Sequence, residues 1–489
     1  MQIMDQQKFQ NLMKEARARF CVPSLSAAVY CNGETFTFQD GMSNQAEGIQ
    51  ADSETMYAIG SCTKAFLAAA ICVLVDRGEM KLDDCVKKYV PEFEMTDPWV
   101  GEHLSIRDIL CHRSGLPRHE LAWYSRMFTL KSNDIVRMLK YLEPNAPFRS
   151  VYQYNNIMFA FLGVLLERAT GLSWQENIRK NVWEPLGITR AAFTPTEAKA
   201  LGNVAVPYVY DSEADRHIAL PNAEMAAIGP AGSIYMSAPD LMKFVTMLMN
   251  GGEYEGKRVL SAYCAGEMTR LHVTSPDHME KPLQSLSHTA GYGLALRTEI
   301  YRGVRMVEHG GHIDGYMAEQ CFLPDEKFAI VLLTNLGVIH ACTAMLYIGL
   351  EEYFCHGPEM MDALREDLQH EYDVVITESL LDKLAKEPAK EDKKPCPVSL
   401  SDIAGHYYHP GYGDLTVTVE GERLKLQIGT IGIDAAHDSG TDFISECMGF
   451  APGLLFHDSI EVDEQGKVIA ICLEANLEPG SKPVRFIPV

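Results

Sequence analysis

The pattern of apolar residues changes after about His356, and this change constrains the fold more than any other feature of the chain. Before it, long apolar helices are mixed with a few strands. From Leu400 onward, apolar and polar residues alternate in short runs separated by turns, which is typical of a small antiparallel barrel or sandwich. We therefore predict a mixed α/β (α+β) domain over residues 1–357, a helical and charged linker over 358–398, and a small C-terminal antiparallel β-barrel over 399–489.

Turn and stop signals define several elements of the first predicted domain. A strand over 24–30 leads into Asn32-Gly33, a typical hairpin turn, and residues 34–38 return beside it. The apolar helix that follows Ser61 is stopped at Gly78. The remaining predicted elements are helices over 156–170, over 239–249 and after Leu336, and strands over 317–323 and 328–334. This mixture predicts a sheet flanked by helices, with further helices between its strands.

Charge and cysteine content exclude several classes of partner. The net charge of −23 disfavours a nucleic acid, because phosphate binding needs basic patches. No run of eighteen apolar residues is long enough to span a membrane, and the N-terminal residues lack the pattern of a secretory signal. Thirteen cysteines without a pairing rhythm indicate reduced thiols rather than disulfides. We therefore expect a cytoplasmic protein without membrane or nucleic-acid partners.

Ser61 and Lys64 form the first candidate site. They lie at the entry of the apolar helix, three residues apart, so that their side chains share one helix face. A serine hydroxyl needs an adjacent base to act as a nucleophile, and a buried lysine amine is one such base. The competing interpretation of the same tetrapeptide is a helix cap followed by a solvated lysine.

Two further segments carry polar groups suited to the same chemistry. Tyr154 and Asn156 precede an apolar helix, where a phenol and an amide could contact a carbonyl substrate, although a core aromatic and a helix cap explain them as well. The segment from Glu308 to His312 contains Gly310 and Gly311, which would let a substrate approach an edge strand closely. Backbone amides of such a strand stabilise an oxyanion.

A metal site is the rival interpretation of this last segment. His309 and His312 lie near Asp314, and these residue types bind metals. However, residues three apart do not share a face of a strand, and no His-Glu-x-x-His helix occurs in the chain. We therefore expect neither a metal nor another cofactor. Cys62, next to Ser61, is interpreted as a small packing residue.

The three segments occur in a fixed order: Ser-x-x-Lys, then Tyr-x-Asn, then a glycine-rich histidine strand. With this order, residues from about 10 to 355 resemble the serine β-lactamase and penicillin-binding-protein group, especially class C β-lactamase-like esterases and D-aminopeptidases. Supporting segments lie at 110–117, 161–163, 185–188 and 231–241. The C-terminal region, with its Gly405 to Gly413 segment, resembles lipocalin-like barrels that are appended to some members of the group.

The resemblance implies a β-lactamase/transpeptidase-like sheet with an all-helical subdomain and assigns roles to single residues. Ser61 would be acylated, Lys64 would be its proton partner, and Tyr154 would be a general base that shuttles a proton to and from the leaving group. Asn156 would hold the substrate carbonyl. His309 and Gly311 stand where many relatives have a Lys-Thr-Gly strand, and the amides of Ser61 and His312 would form the oxyanion hole.

The substitution of histidine for that lysine affects the expected substrate. Histidine is at most partly charged at pH 7, so a substrate carboxylate would be held less firmly than in a β-lactamase. We expect a serine hydrolase of small peptides, amides or esters, with D-aminopeptidase or carboxylesterase activity leading. The alternatives are a β-lactamase or DD-peptidase, and a non-catalytic binding or assembly protein that kept the fold. A short peptide or small molecule is the expected partner, and a homo-oligomer stays open.

Overall fold

A computed structural model describes residues 4–211, 214–222, 224–275, 283, 285–337, 341–372, 381, 393–447, 454–474, 476 and 480–489. The chain forms two compact units. The first contains Met1–Pro91, Leu104–Arg113 and Met158–Asp373, and the second contains Glu92–His103, Ser114–Ile157 and Val374–Val489. Much of the predicted linker, at 373–380 and 382–392, lies outside the described residues, and the predicted domain boundaries stay a prediction.

A nine-stranded sheet organises the first unit, in the order β11-β12-β13-β14-β15-β16-β1-β2-β3. The hairpin around Asn32-Gly33 is confirmed, since Cys31 pairs with Glu34. The returning strand is longer than predicted and ends at Asn44, because β3 pairs with its far end. The strands of this unit are β1 Ser24–Cys31, β2 Glu34–Asn44, β3 Ile49–Gln50, β4 Tyr57–Ala58, β5 Ala191–Ala192, β6 Tyr208–Asp211, β7 Arg216–Ala219, β8 Tyr235–Met236, β9 Glu253–Tyr254, β10 Lys257–Arg258, β11 Val273–Thr274, β12 Ser287–Tyr292, β13 Arg297–Tyr301, β14 Val304–Ile313, β15 Tyr316–Leu323 and β16 Phe328–Thr334.

Helices cover both faces of this sheet, as the sequence predicts. The α-helices of the chain are α1 Gln6–Arg19, α2 Thr63–Asp76, α3 Pro98–His103, α4 Ile106–Leu110, α5 Glu120–Tyr124, α6 Ser132–Leu139, α7 Asn156–Thr170, α8 Trp174–Ile178, α9 Glu184–Leu186, α10 Pro195–Leu201, α11 Ala238–Met249, α12 Ala262–Thr269, α13 Ala341–Tyr353, α14 Gly357–Tyr372 and α15 Leu400–Ile403. Short 3₁₀ turns span Gly60–Cys62, Val86–Lys88 and Ala226–Ala231, and a π turn spans Arg179–Trp183.

The two faces of the sheet bury different sets of side chains. Leu25, Ala27 and Val29 of β1 pack with α1, α13 and α14 in one core cluster. Because side chains alternate along a strand, their neighbours Ser26 and Ala28 point to the opposite face, where α11 contacts β1, β15 and β16.

A closed barrel of eight antiparallel strands lies in the C-terminal part of the second unit, and this confirms the predicted barrel. Its inward-facing residues alternate as the sequence indicates: Leu424, Leu426 and Ile428 are buried, whereas Lys425 and Gln427 are not. Helices α3, α5, α6 and α15 belong to the same unit. The barrel strands are β17 Gly405–His409, β18 Gly413–Glu420, β19 Arg423–Ile428, β20 Ile431–Ser439, β21 Asp442–Glu446, β22 Leu455–Val462, β23 Val468–Leu473 and β24 Val484–Pro488.

Among the helices that the structure describes, no single one is long and apolar enough to cross a membrane. The segments Asn156–Thr170 and Trp174–Leu186 pass the length and composition test only when taken together, and they are bent by 79°.

Candidate active site

Ser61 and Lys64 meet at the start of helix α2. Ser61 lies in the 3₁₀ turn that precedes the helix and is partly exposed, whereas Lys64 is fully buried. The Lys64 Nζ lies 2.8 Å from the Ser61 Oγ and donates a hydrogen bond to the Ala231 carbonyl at 2.6 Å. Every residue of α2 from Thr63 to Leu74 is buried, in keeping with its apolar sequence. The lysine is therefore not the solvated residue of the helix-cap interpretation.

Two glycines allow the turn of Ser61 to lie against strand β14. Gly60 has a φ of +48°, and a Cβ atom built on it would lie 2.6 Å from the His312 nitrogen. A Cβ atom on Gly311 would collide with the Ile59 carbonyl. The glycines thus remove the side chains that would separate the two backbones. Two hydrogen bonds with Ile234 hold the other side of the turn. The Ile59 nitrogen donates to the Ile234 carbonyl at 2.9 Å, and the Ile234 nitrogen donates to Thr63 Oγ1 at 3.1 Å.

Strand β14 changes its pairing at the level of the serine. Strand β13 pairs with it only as far as Glu308, while β15 pairs with it through Ile313. The part from His309 to Ile313 therefore has β15 on one side and the Ser61 turn on the other. The backbone nitrogens of Ser61 and His312 both border the close approach of the two glycines. Two backbone N–H groups beside a nucleophile can stabilise a developing oxyanion.

His309 is buried and held as a neutral imidazole. Its Nδ1 lies 2.6 Å from the Gly310 carbonyl, which can only accept, so Nδ1 carries the proton. Its Nε2 then accepts the hydrogen bond from the Tyr292 hydroxyl at 2.8 Å. Burial lowers the pKa of His309 to about 3. The imidazole therefore carries no charge at neutral pH, whereas the sequence alone predicts only that it is at most partly charged.

Two buried carboxyl groups lie on the opposite face of the same strands. Glu319 pairs with Gly310 across the sheet and accepts a hydrogen bond from Thr343 Oγ1 at 2.5 Å. Burial, with a contribution from the neighbouring Glu308, raises the pKa of Glu319 to about 8. Burial also raises the pKa of Glu308 to about 7, although Arg297 Nε lies 3.0 Å from its Oε1. Both carboxyl groups therefore keep their protons to a higher pH than an exposed glutamate does.

Tyr154 and Asn156 belong to the second unit. The Tyr154 ring is partly exposed, and the Arg118 guanidinium lies 4.8 Å from its centroid, so it is not a core aromatic. Asn156 is the first residue of α7, and its Nδ2 donates to Glu120 Oε1 at 3.1 Å. The residues that the first unit brings together are Ser61, Lys64, His309, Gly311 and His312, and the participation of Tyr154 and Asn156 stays a prediction.

The geometry bears on the metal and thiol alternatives. Among the residues that the structure describes, no group of three or more His, Cys, Asp or Glu side chains is arranged to hold a metal ion. His309 is buried and His312 is exposed, as expected for residues on opposite faces of a strand. Cys62 is fully buried, its Sγ donates to the His309 carbonyl at 3.1 Å, and burial raises the pKa of its thiol.

Sequence reasoning missed three contributors to this site. The segment 231–241 supports the family resemblance, but the sequence assigns it no role in the site. In the structure, its Ala231 carbonyl accepts a hydrogen bond from Lys64. Tyr292 had no signal in the sequence, although its hydroxyl engages the second ring nitrogen of His309. Phe159, whose ring centroid lies 5.5 Å from Lys64 Nζ, appeared only as part of an apolar helix.

Comparisons with known proteins agree with the predicted fold. The chain is 28% identical over 433 residues to the unguisins hydrolase of Aspergillus campestris, covering 86% of this chain and 79% of that protein. It is 27% identical to penicillin-binding protein 4 of Amycolatopsis lactamdurans, covering 68% of this chain and 86% of that protein.

Solved structures show the same fold. The octameric penicillin-binding protein homologue from Pyrococcus abyssi aligns over 99% of this chain and 100% of its own, with a TM-score of 0.60 and 21% identity. The class C β-lactamase from Rhodobacter sphaeroides aligns over 71% of this chain and 98% of its own, with a TM-score of 0.56 and 16% identity.

The fold and its serine–lysine pair define the class of β-lactamase-like and penicillin-binding-protein-like serine hydrolases. The family model described as Beta-lactamase matches residues 8–342, and the chain belongs to this family.

Proposed function

We propose that this chain hydrolyses acyl compounds through an acyl-enzyme on Ser61. The 2.8 Å approach of the buried Lys64 Nζ to the Ser61 Oγ carries the proposal. The Oγ attacks the substrate carbonyl carbon while Lys64 takes its proton, because the hydroxyl is a weak nucleophile without a base. The bond to the leaving group then breaks as that group gains a proton. Water hydrolyses the resulting ester, which releases a carboxylic acid and restores Ser61.

Other residues of the site take supporting roles in this proposal. The amides of Ser61 and His312 stabilise the oxyanion, since both nitrogens border the contact between Gly60 and Gly311. Tyr154 carries the proton to the leaving group, and Asn156 holds the substrate carbonyl. These last two roles rest on the order of the motifs and on membership of the family.

The proposed substrates are small peptides, amides or esters, with D-aminopeptidase or carboxylesterase activity as the leading choice. The support is the neutral state of His309, whose two nitrogens are engaged by Tyr292 and Gly310. A neutral imidazole offers no charge with which to hold a substrate carboxylate. A relative named as a hydrolase is consistent with this chemistry. β-Lactamase or DD-peptidase activity is the second candidate, favoured by the similarity to a penicillin-binding protein.

Labelling of the purified chain with a fluorophosphonate tests the nucleophile. The Ser61→Ala variant should lose labelling, while the matched control Cys62→Ala should keep it, because Cys62 is a buried neighbour with a raised thiol pKa. Undiminished labelling of Ser61→Ala would remove Ser61 from the proposal.

A substrate panel tests the finer assignment. D- and L-aminoacyl amides, short-chain esters and a chromogenic cephalosporin separate the candidates. Faster turnover of the cephalosporin than of any amide or ester would reverse their order.

We also propose that the protein is cytoplasmic and assembles as a homo-oligomer. All thirteen cysteines are free thiols, which suits a reducing compartment. A structural neighbour is described as octameric, which supports an assembly but not its size. Cell fractionation tests the first statement, and light scattering coupled to gel filtration tests the second. Recovery outside the cytoplasm, or a monomer at micromolar concentration, would refute the respective statement.

A further inference from the structure

The barrel and residues 114–157 of the second unit are joined by polar contacts. The Tyr412 hydroxyl and His119 Nδ1 are 2.7 Å apart, and His119 Nε2 donates to the Glu143 carbonyl at 3.0 Å. The His119 backbone nitrogen donates to Asn476 Oδ1 at 3.0 Å. Because His119 is almost fully buried, burial lowers its pKa to about 3, and it remains a neutral member of this network. The barrel is therefore connected to this segment by directional hydrogen bonds.

The same network continues into the segment that carries Tyr154. Asn145 Nδ2 donates to Ser481 Oγ of the barrel region at 3.1 Å, and its Oδ1 accepts from Gln153 Nε2. Asn155 Nδ2 donates to the Pro117 carbonyl at 2.6 Å, two residues before His119. Gln153 is thus hydrogen-bonded to a residue that itself contacts the barrel region, and Asn155 is hydrogen-bonded two residues before His119, which does so as well.

A cavity of about 280 Å³ opens along this network. Its walls include Pro117, His119, Asn145, Tyr412, Asn476 and Ser481. This volume is near the lower end of the usual range for ligand pockets, so a small molecule rather than a drug-sized one fits it.

The remaining polar groups of the cavity favour an anion. His409 Nδ1 accepts from the Gly411 nitrogen at 3.0 Å, so the neutral imidazole carries its proton on Nε2 and can donate it. Lys482 and Arg485 also line the cavity, against the single carboxylate of Glu143. Arg485 is paired with Glu461 at 2.9 Å, which leaves Lys482 as the main source of positive charge. Such a site stands out in a chain of net charge −23.

We propose that this cavity binds a small carboxylate, about the size of an acylated amino acid. Lys482 and His409 Nε2–H hold the carboxylate oxygens, and Ser481 and Asn145 border the remainder of the molecule. Bound ligand stiffens the Asn145–Gln153 connection and thereby the segment that contains Tyr154. The binding step is independent of whether Ser61 is catalytic.

Calorimetric titration of the full-length Ser61→Ala variant tests binding without turnover. N-acetyl-D-alanine and N-acetyl-L-alanine are the probes, and N-acetyl-D-alanine amide is the neutral control. We expect saturable binding of one carboxylate per chain, and at least tenfold weaker binding of the amide. No saturable binding at millimolar concentration, or equal binding of acid and amide, would overturn the proposal.

Variants locate the bound carboxylate. Adding Lys482→Met should weaken binding at least tenfold, and adding His409→Phe should weaken it as well. Lys467→Met, an exposed barrel lysine that does not line the cavity, should leave it unchanged. Lys482→Met changes an exposed side chain and should not disturb folding, so its result stands even if His409→Phe misfolds. Affinity that survives Lys482→Met would place the ligand elsewhere and refute the site.

Hydrogen exchange tests the connection to Tyr154. Saturating N-acetyl-D-alanine should slow amide exchange over residues 145–156, and this slowing should disappear with Lys482→Met. Unchanged exchange at saturation would refute the stiffening. If fluorophosphonate does not label the parent chain, that result contradicts the proposed hydrolase activity and leaves the carboxylate-binding cavity untouched.

Discussion

The turn of Ser61 and the segment of Tyr154 are held in place by different kinds of interaction. Around Ser61, two backbones meet directly through Gly60 and Gly311, and the helix that follows is buried on all sides. Around Tyr154, side-chain amides of Gln153 and Asn155 make the connections, and the ring itself is partly exposed. Backbone contact leaves little freedom, whereas amide side chains can exchange partners. We infer that the first region tolerates substitution poorly and that the second is adjustable.

Loss of the lysine beside Ser61 should have the largest effect. Lys64→Ala should slow acylation by an activated ester about 1,000-fold, because a positioned base contributes roughly 10²–10⁴-fold. Stopped-flow release of p-nitrophenol measures the rate, and Lys467→Ala serves as the exposed control. A near-normal rate in Lys64→Ala would exclude it as the base.

The glycine contact should be almost as sensitive. Gly311→Ala places a methyl group against the Ile59 carbonyl, and the resulting shift of the Ser61 turn should slow acylation about 100-fold. Gly266→Ala is the matched control, because its added Cβ meets no atom within 4 Å in a helix. Equal acylation rates for the two variants would show that the close approach does not position Ser61.

The buried carboxyl group behind the strand predicts a dependence of stability on pH. The native state keeps a proton on Glu319 up to a pKa of about 8, whereas the unfolded state releases it near 4.5. The native state therefore binds more protons within this window, and stability falls as pH rises through it. Between pH 5 and 7 the contribution should fall by about 2 kcal/mol.

Urea unfolding at several pH values tests this slope. Glu319→Gln should reduce it, because the amide has no proton to lose, while the raised pKa of Glu308, about 7, keeps a smaller slope of the same sign. Glu422→Gln, at an exposed barrel position, should leave it unchanged. A parent-like slope in Glu319→Gln would contradict the assignment to Glu319.

Removing a side-chain amide hydrogen bond next to Tyr154 should have a smaller effect. Asn155→Ala deletes the donor to the Pro117 carbonyl and should lower the free energy of unfolding by about 1–2 kcal/mol. Slower acylation without loss of stability would show that the segment is less adjustable than we infer. Asn250→Ala, at the exposed end of α11, provides the comparison.

The hydroxyl that holds His309 should have the smallest effect. Tyr292→Phe keeps the buried ring and removes one hydrogen bond, at a cost of about 1 kcal/mol of stability. Tyr408→Phe on the exposed barrel surface should cost nothing measurable. An effect above about 3 kcal/mol would indicate that the hydroxyl has a further role.

Local sequence rules predicted much of this structure. The i,i+3 spacing placed Lys64 beside Ser61, the Asn32-Gly33 turn marked the first hairpin, and alternating residues gave the barrel strands. What they missed depends on contacts distant in sequence. The carbonyl that receives Lys64 lies at Ala231, and the partner of His309 lies two strands away at Tyr292. Such partners are chosen by sheet order and packing, which no single segment encodes.

The order in which the second unit is assembled along the chain has a consequence for biosynthesis. The ribosome synthesises its residues 114–157 long before it reaches Val374, where the C-terminal part of the unit begins. At roughly 5–20 residues per second, the ribosome needs on the order of 10–40 seconds to make the residues between them. During that time the amides of Asn145 and the ring of His119 have no barrel to bind. Newly made chains should therefore depend on chaperones at this stage, and nonsense mutations that remove only the barrel should leave an aggregation-prone product.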